Sequence, residues 1–439
     1  MTSLISKLSQ KVKDPSLLFG AISAFGVKIL AAGSAFLLNI VIARHLGAEQ
    51  AGYFFLAQAI CVLLASLTRQ GFDNALVRFI AGFKVSNDSA SISGLFKYTF
   101  SRVLFVSVAT ALCLYSAASW LSNSVFDKPL LEQTLHVAAF LIVPLALSQF
   151  MGFCFQGLKK VVPAMLYQSA LLAVLSVIGL WVFSPDSAST SMSVYVICAC
   201  IVVTLGLLQW IKHTPLAGAK LKIEDKHAVN QAIRPLFLIL LMSQATQWAG
   251  QLMLGAWSTA QEVALFATAQ RTAMLTSFIL VAVNAIAAPK FAEAFKQNRH
   301  GEIEQVALSS SRLMTAAAVP ILIFMIVFAP WLMSLFGSDF VDGAVILRIL
   351  AVGQFVNVIT GSVGYLLQMT ANERVLRNNM AISSVILVVG SVVAIPLFGV
   401  IGAAVVTSFA IATQNLLCVY QVKKKLGFNT LSIFKKVSD

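Results

Sequence analysis

The chain has 439 residues, of which 59% are apolar and only 11% charged, with a mean hydropathy of +0.87 and a formal net charge of +14. No soluble domain of this size covers so much apolar surface with so few charges, which excludes a soluble enzyme or globular binding module. The apolar runs are continuous rather than alternating, so the expectation is an all-α polytopic membrane protein and not a β-barrel.

Residues 1–15 are polar and basic (Lys7, Lys11, Lys13), with Leu4, Ile5 and Leu8 on one side, the pattern of an interfacial amphipathic helix. No A-x-A-like cleavage site follows, so no removable signal peptide is read. A helical span needs about 20 apolar residues. Twelve such runs follow, at 17–43, 51–70, 99–121, 134–157, 163–183, 193–211, 235–257, 263–288, 313–334, 343–368, 378–397 and 401–420. Pro144 and Pro320 fall within the fourth and ninth and predict kinks there. Between the sixth and seventh, Pro215, Gly218, Lys220, Lys222, Glu224, Asp225 and Lys226 read as a solvated linker. This gives an N-lobe at 1–212, a linker at 213–234, and a C-lobe at 235–439 ending in a basic tail. No loop is long enough to fold as an extramembrane domain, so recognition must take place inside the bundle. The six cysteines all fall within predicted spans, lack metal-ligand spacing and read as small packing residues; neither metal nor cofactor is expected.

The positive charge is distributed by side. With the N-terminus in the cytoplasm, 26 of the 31 Lys and Arg lie on the inner side and only Arg44 and Lys128 in outer loops. The positive-inside rule thus predicts that both termini are cytoplasmic. The basic excess is a topology signal, with attraction to anionic lipid as an addition. Nothing supports nucleic-acid binding.

The chain is also written twice. At a shift of 212 residues, Phe54, Ala57 and Gln58 meet Phe266, Ala269 and Gln270. Arg78, Phe79, Phe83 and Lys84 meet Lys290, Phe291, Phe295 and Lys296, and Gln156 meets Gln368. Repeated halves in a hydrophobic chain are typical of transporters, whose site lies where the halves meet.

A charge at the bilayer centre costs about 2.5–3.5 kcal/mol on insertion scales, so each one needs a reason. Lys28 lies near mid-depth in the first span, on a face that continues through Ala32, Ala35 and Asn39. The repeat turns that face into Leu240, Gln244, Gln247 and Gln251 of the seventh span, beside Trp248. Two readings stand: a polar cavity shared by the two spans, or hydrogen bonding in a dry interface. Arg271, next to Gln270 in the eighth span, is also near mid-depth. Arg348 enters the tenth span near Asp339 and Asp342, where snorkelling or a rim ion pair competes with a site role. Its repeat partner His136 is either proton-responsive or a hydrogen-bonded neutral ring. Arg69, Asp73 and Arg78 cluster at the inner end of the second span, where Arg69 and Asp73 are spaced to pair structurally. A cavity with fixed positive and no negative charge selects anions; Lys and Arg suit phosphate, and the glutamines and Trp248 suit sugars.

The segments ARHLGAEQAGYFFLAQ (43–58), RQGFDNALVRFIA (69–81), FQGLKK (155–160) and LLQMTANE (366–373) carry a family likeness. With them the chain resembles, over its whole length, the Wzx-type oligosaccharide flippases, polysaccharide-biosynthesis proteins of the MATE-like MOP superfamily. The resemblance implies two six-helix bundles in a V that opens alternately to either membrane face. It also implies transfer of undecaprenyl-pyrophosphate-linked repeat units, such as those of O-antigen in lipopolysaccharide biosynthesis, across the bacterial inner membrane. The implied partners are the lipid-linked substrate, membrane lipids, and polymerase and chain-length machinery. The family has no short catalytic signature, so no site residue is carried over by motif. A MATE-like multidrug or metabolite exporter is the alternative, although MATE exporters usually bind cations through N-lobe acids, and this N-lobe has none at depth. Flippases of the MurJ type have two additional helices, for which this chain has no room. A membrane-embedded polymerase or ligase would show a large outer loop with clustered catalytic residues, so no enzyme is expected. No buried carboxylate offers ion coupling, which leaves His136, the inner-end Asp73 or a different form of coupling.

Overall fold

The computed structural model describes residues 15–214 and 221–432, except the side chains of 15–25, 234, 235, 285, 286 and 289. The basic segment at Lys7–Lys13, the tip of the linker (Pro215, Gly218, Lys220) and the end of the basic tail lie outside the described residues. Among the described residues the chain is helical and contains no strand. Its helices are α1 (Pro15–Thr68), α2 (Phe72–Val85), α3 (Ser89–Trp120), α4 (Leu131–Ala139), α5 (Ile142–Gly157), α6 (Val161–Met165), α7 (Leu171–Phe183) and α8 (Ala188–His213). There follow α9 (Ile223–Trp257), α10 (Ala260–Met274), α11 (Ser277–Lys296), α12 (His300–Val327), α13 (Ala329–Ser334), α14 (Ala344–Ile359), α15 (Val363–Met369) and α16 (Glu373–Leu426).

The apolar runs read from the sequence are largely helical where described, but four of them are broken inside, at Phe140–Leu141, Leu275–Thr276, Phe328 and Thr360–Ser362. Among the described residues eight helical segments, or nine with the bent pair α4–α5, are long and apolar enough to cross a membrane. The chain is therefore a multi-pass membrane protein. Helices α1 and α16 have 54 residues each. At about 1.5 Å per residue each is long enough to cross a ~30 Å core twice. Both turn at a glycine, Gly47 (φ 69°, ψ 175°) and Gly399 (φ 53°, ψ −136°), in backbone regions that side chains disfavour.

The repeat is visible in the element boundaries. Gly47 corresponds to Thr259, the N-cap of α10, and Ser187, the N-cap of α8, corresponds to Gly399. Helices α5 and α15 end at Gly157 and Met369, and α6 and α16 begin at Val161 and Glu373. In the turn between them Lys159 and Ala371 both adopt positive φ, 60° and 58°. Each pair keeps the 212-residue offset. The halves differ at the next level: α1 ends at Thr68, whereas α10 ends at Met274, earlier in the repeat register.

The prolines act differently. Pro144 offers no N–H to the carbonyl of Phe140, four residues back, and α4 and α5 meet there at a bend of 46°. Helix α12 remains one helix through Pro320 and breaks at Phe328 instead. The linker also differs from expectation. From Ile223 onward it is the first part of α9, with Leu221, Val229 and Ile233 buried. The Tyr98 hydroxyl and Arg102 donate to Asn230 Oδ1 at 3.1 and 2.8 Å, and the Arg102 guanidinium lies 5.4 Å from the Phe72 ring centre.

Residues up to His45, with Ile60–Leu121 and Leu130–Leu240, form one compact unit; Leu46–Ala59, Ser122–Pro129 and Leu241 onward form the other. In the first, the buried Trp210 stacks on Phe96 at 4.8 Å and meets Phe155 edge-on at 5.5 Å. In the second, Phe291, Leu367, Cys418 and Val422 lie in one apolar core. Cys61, Cys154, Cys198 and Cys418 are buried and Cys113 and Cys200 exposed, all as free thiols.

Gly47→Ala and Gly399→Ala should each destabilise the protein by about 1–3 kcal/mol, because an alanine must hold a backbone reserved for glycine. Gly33→Ala, at a helical position with open space around the new methyl group, should leave the melting temperature in detergent unchanged or slightly raised. An unchanged melting curve for Gly47→Ala would count against the strain at that turn.

Candidate functional site

Helix α10 opens with a capping box. The Glu262 amide donates to Thr259 Oγ1 at 3.2 Å, and the Thr259 amide donates to Glu262 Oε2 at 3.4 Å. It stops after Met274, which puts Arg271 in its last turn, where a cation favours the partial negative charge of the helix end. Arg271 Nη2 donates to Gln58 Oε1 at 2.8 Å, and its guanidinium lies 4.3 Å from the ring centre of Phe55. Such stacking is worth about 0.5–2 kcal/mol. The carbonyl of Phe55 accepts Gln251 Nε2 at 2.9 Å. Gln58, Phe55 and Gln251 are all buried. One turn of α1 thus ties together an arginine of α10 and a glutamine of α9, all within the second compact unit. The helices approach closely because Gly52 packs on the Ala260 backbone and Gly255 packs on Leu56.

The other residues singled out by sequence separate into distinct environments. Trp248 Nε1 donates to Gln244 Oε1 at 3.1 Å along the same helix, and Gln247 is exposed. The glutamine stripe is therefore not a uniform polar wall: Gln251 is locked on a neighbouring backbone, Gln244 holds an indole, and Gln247 stands open. Lys28, in the first unit, is half-buried and forms no ion pair among the described residues. Asn39 Nδ2 donates to the Ala35 carbonyl of its own helix at 2.6 Å. The His136 ring packs against Tyr115 with centres 4.7 Å apart. Arg348 Nε donates to the Ile326 carbonyl at 3.0 Å, at the end of α12, rather than pairing with Asp339 or Asp342.

The Arg69–Asp73 pair expected from sequence forms at the α1–α2 turn. Arg69 Nε and Nη2 donate to the two Asp73 oxygens at 2.8 and 3.1 Å, and Nη1 donates to the Ala65 carbonyl at 3.2 Å. Two contributors escaped the sequence reading. Gln58 was visible only as the repeat mate of Gln270, although a lone amide within an apolar run was a usable signal. Lys128 read as a loop cation, yet it is buried and donates to the carbonyls of Phe126 and Gly255 at 2.9 and 2.7 Å. Burial draws its pKa below the usual lysine value, against the pull of Asp127 and Glu262. Among the described residues no group of His, Cys, Asp and Glu is placed to hold a metal ion.

A sequence profile described as polysaccharide biosynthesis protein matches residues 17–295, more than half of the chain. The chain belongs to the polysaccharide biosynthesis protein family. A probable low-salt glycan biosynthesis flippase, Agl15 of Haloferax volcanii, is 24% identical over 411 residues, covering 90% of this chain and 81% of that protein. An inward-facing multidrug resistance MATE family transporter of the MOP superfamily superposes with a TM-score of 0.76 at 15% identity, covering 95% of this chain and all of the other. An inward closed conformation of the lipid II flippase MurJ gives 0.71 at 16% identity, covering 92% and 87%. At these identities the structural likeness establishes the fold, which is MATE-like.

For this member of the polysaccharide biosynthesis family, cysteine substitution separates the glutamines. In a background without the native cysteines, the thiol introduced by Gln247→Cys should react with a water-soluble thiol reagent, and the thiol introduced by Gln251→Cys should be protected. Equal labelling of both variants would show that the backbone of Phe55 does not cover position 251 in the membrane.

Proposed function

We propose that the protein is a flippase that carries undecaprenyl-pyrophosphate-linked oligosaccharide repeat units, of O-antigen or a related polysaccharide, from the cytoplasmic to the outer leaflet. It acts in the bacterial inner membrane with both termini in the cytoplasm, by alternating access through a cationic central cavity. Membership of the polysaccharide biosynthesis family, the flippase named among its relatives and the MATE-like fold support the class. The observation that carries the substrate reading is the seating of Arg271. Its guanidinium is held by the Gln58 amide and stacked on the Phe55 ring at the end of α10. An arginine so positioned suits the oxygens of a pyrophosphate. Lys28 supplies a second cation in this reading, Arg348 and His136 polar groups towards the outer side, and Gln244, Gln247, Asn39 and Trp248 contacts for sugars, while the buried Gln251 braces the wall through the Phe55 carbonyl.

Binding energy in a carrier is useful only if it differs between access states. The pyrophosphate is the natural group for that difference, because its charge is the costliest part of the substrate to move through a bilayer. The exporter alternative calls instead for anionic groups able to hold an organic cation at depth, and the buried carboxylate of Asp73 is taken by Arg69.

Lys28→Ala and Arg271→Ala should each abolish glycan export in a flippase-deficient strain while leaving membrane insertion intact. Arg271→Lys should restore it in part, since it keeps charge but not the bidentate geometry. Full complementation by both alanine variants would defeat the cationic-cavity reading.

A further inference from the structure

A concave site lies in the same compact unit as Arg271, lined by other residues. A cleft of about 650 Å³ opens between the start of the second segment of α1 (Glu49, Tyr53), the loop after α3 (Phe126, Asp127, Lys128) and the α9–α10 junction (Trp257 to Glu262). Its size falls within the range of small-molecule sites, about 300–1,000 Å³. All three segments are outer loops or their edges in the topology read from charge.

The cleft is a constructed feature. The Lys128 ammonium ties the loop to the last turn of α9 through the Gly255 carbonyl, and Ser122 Oγ donates to the Lys128 carbonyl at 2.5 Å. The capping box of Thr259 and Glu262 fixes the opposite side. Tyr53 is held against Glu49 by a 2.9 Å hydrogen bond. Trp257 stays 47% exposed at the mouth. Glu49, Asp127 and Gln261 are exposed beside it.

This lining has a definite chemistry. The negative face of an indole attracts the weakly positive C–H groups along one side of a sugar ring. Carboxylates and an amide accept hydrogen bonds from neighbouring hydroxyls. The acids do not form a metal-binding group among the described residues. Three carboxylates and one lysine line the cleft, so its charge is net negative and the local field repels anions. A pyrophosphate or an acidic sugar is disfavoured here, the reverse of the preference argued for Arg271.

We propose that the cleft is a glycan subsite for non-anionic sugars, with Trp257 as the stacking platform and Glu49, Asp127 and Gln261 as hydroxyl acceptors. It receives the sugar end of the substrate on the outer face while the pyrophosphate is kept out. The identity of that substrate and the outer location rest on the flippase reading; the binding chemistry does not.

The test uses full-length protein in detergent, titrated calorimetrically with free neutral mono- to trisaccharides (maltotriose and triacetylchitotriose among them), acidic 3′-sialyllactose and tetraphenylphosphonium. Neutral saccharides should bind saturably and sialyllactose more weakly. Trp257→Ala should abolish binding and Asp127→Asn weaken it. Asparagine suits that position because residue 127 has φ 49°, a conformation asparagine tolerates. Binding of no saccharide, binding unaltered by Trp257→Ala, or binding of the organic cation alone would overturn the subsite. Flipping of a lipid-linked glycan in proteoliposomes is measured in parallel. Loss of flipping with saccharide binding intact tells against the flippase reading only, and flipping without saccharide binding tells against the subsite only.

Discussion

Inside a bilayer every backbone N–H and C=O needs a partner within the protein, and each orphan costs several kcal/mol. A chain of broken helices meets this constraint at every break, and here basic side chains meet much of it. Arg69 clamps the turn at Gln70 and Gly71 by holding both Asp73 and the Ala65 carbonyl. Lys84 donates to the Leu158 carbonyl just past α5, Lys128 to that of Gly255 at the end of α9, and Arg348 to that of Ile326 near the end of α12. Several cations that look anomalous in so apolar a sequence are accounted for as helix-end partners before any substrate is considered. Arg271 adds a hydrogen bond to the Gln58 side chain and a stack on the Phe55 ring, contacts that repair no backbone group.

What the sequence revealed and what it hid follow from the range of the interactions. Apolar runs and the 212-residue repeat are local or additive signals, and both survive into the helix boundaries. The Arg69–Asp73 pair was legible because its partners lie one turn apart. The helical start of α9 was masked by Lys222, Glu224, Asp225 and Lys226; the buried stripe of Val229 and Ile233 beneath them is only two residues long. The break of α10 was invisible because Leu275 and Thr276 are neither glycine nor proline. Gln58 and Phe55 gain meaning only once α1 lies against α9 and α10, and that approach depends on the missing side chains of Gly52 and Gly255.

The cluster around Arg271 and the cleft beside Trp257 share a scaffold. Residues of the second segment of α1 and of the α9–α10 region contribute to both. The Arg271 cluster presents fixed positive charge, and the cleft presents mostly negative charge with an aromatic wall. A substrate with an anionic lipid-proximal end and a polar glycan end has a matching division. The same packing that fixes one site therefore positions the other.

The turn shared by Lys159 and Ala371 carries a separate message. Both residues keep a left-handed backbone that costs a side-chain-bearing residue about 1 kcal/mol or more, although their side chains have nothing in common. Divergence since duplication has rewritten the chemistry at this position and left its chirality alone. In this chain the ancestry of the two halves is recorded more durably in torsion angles than in residue identity, and it is read most clearly where the backbone is least comfortable.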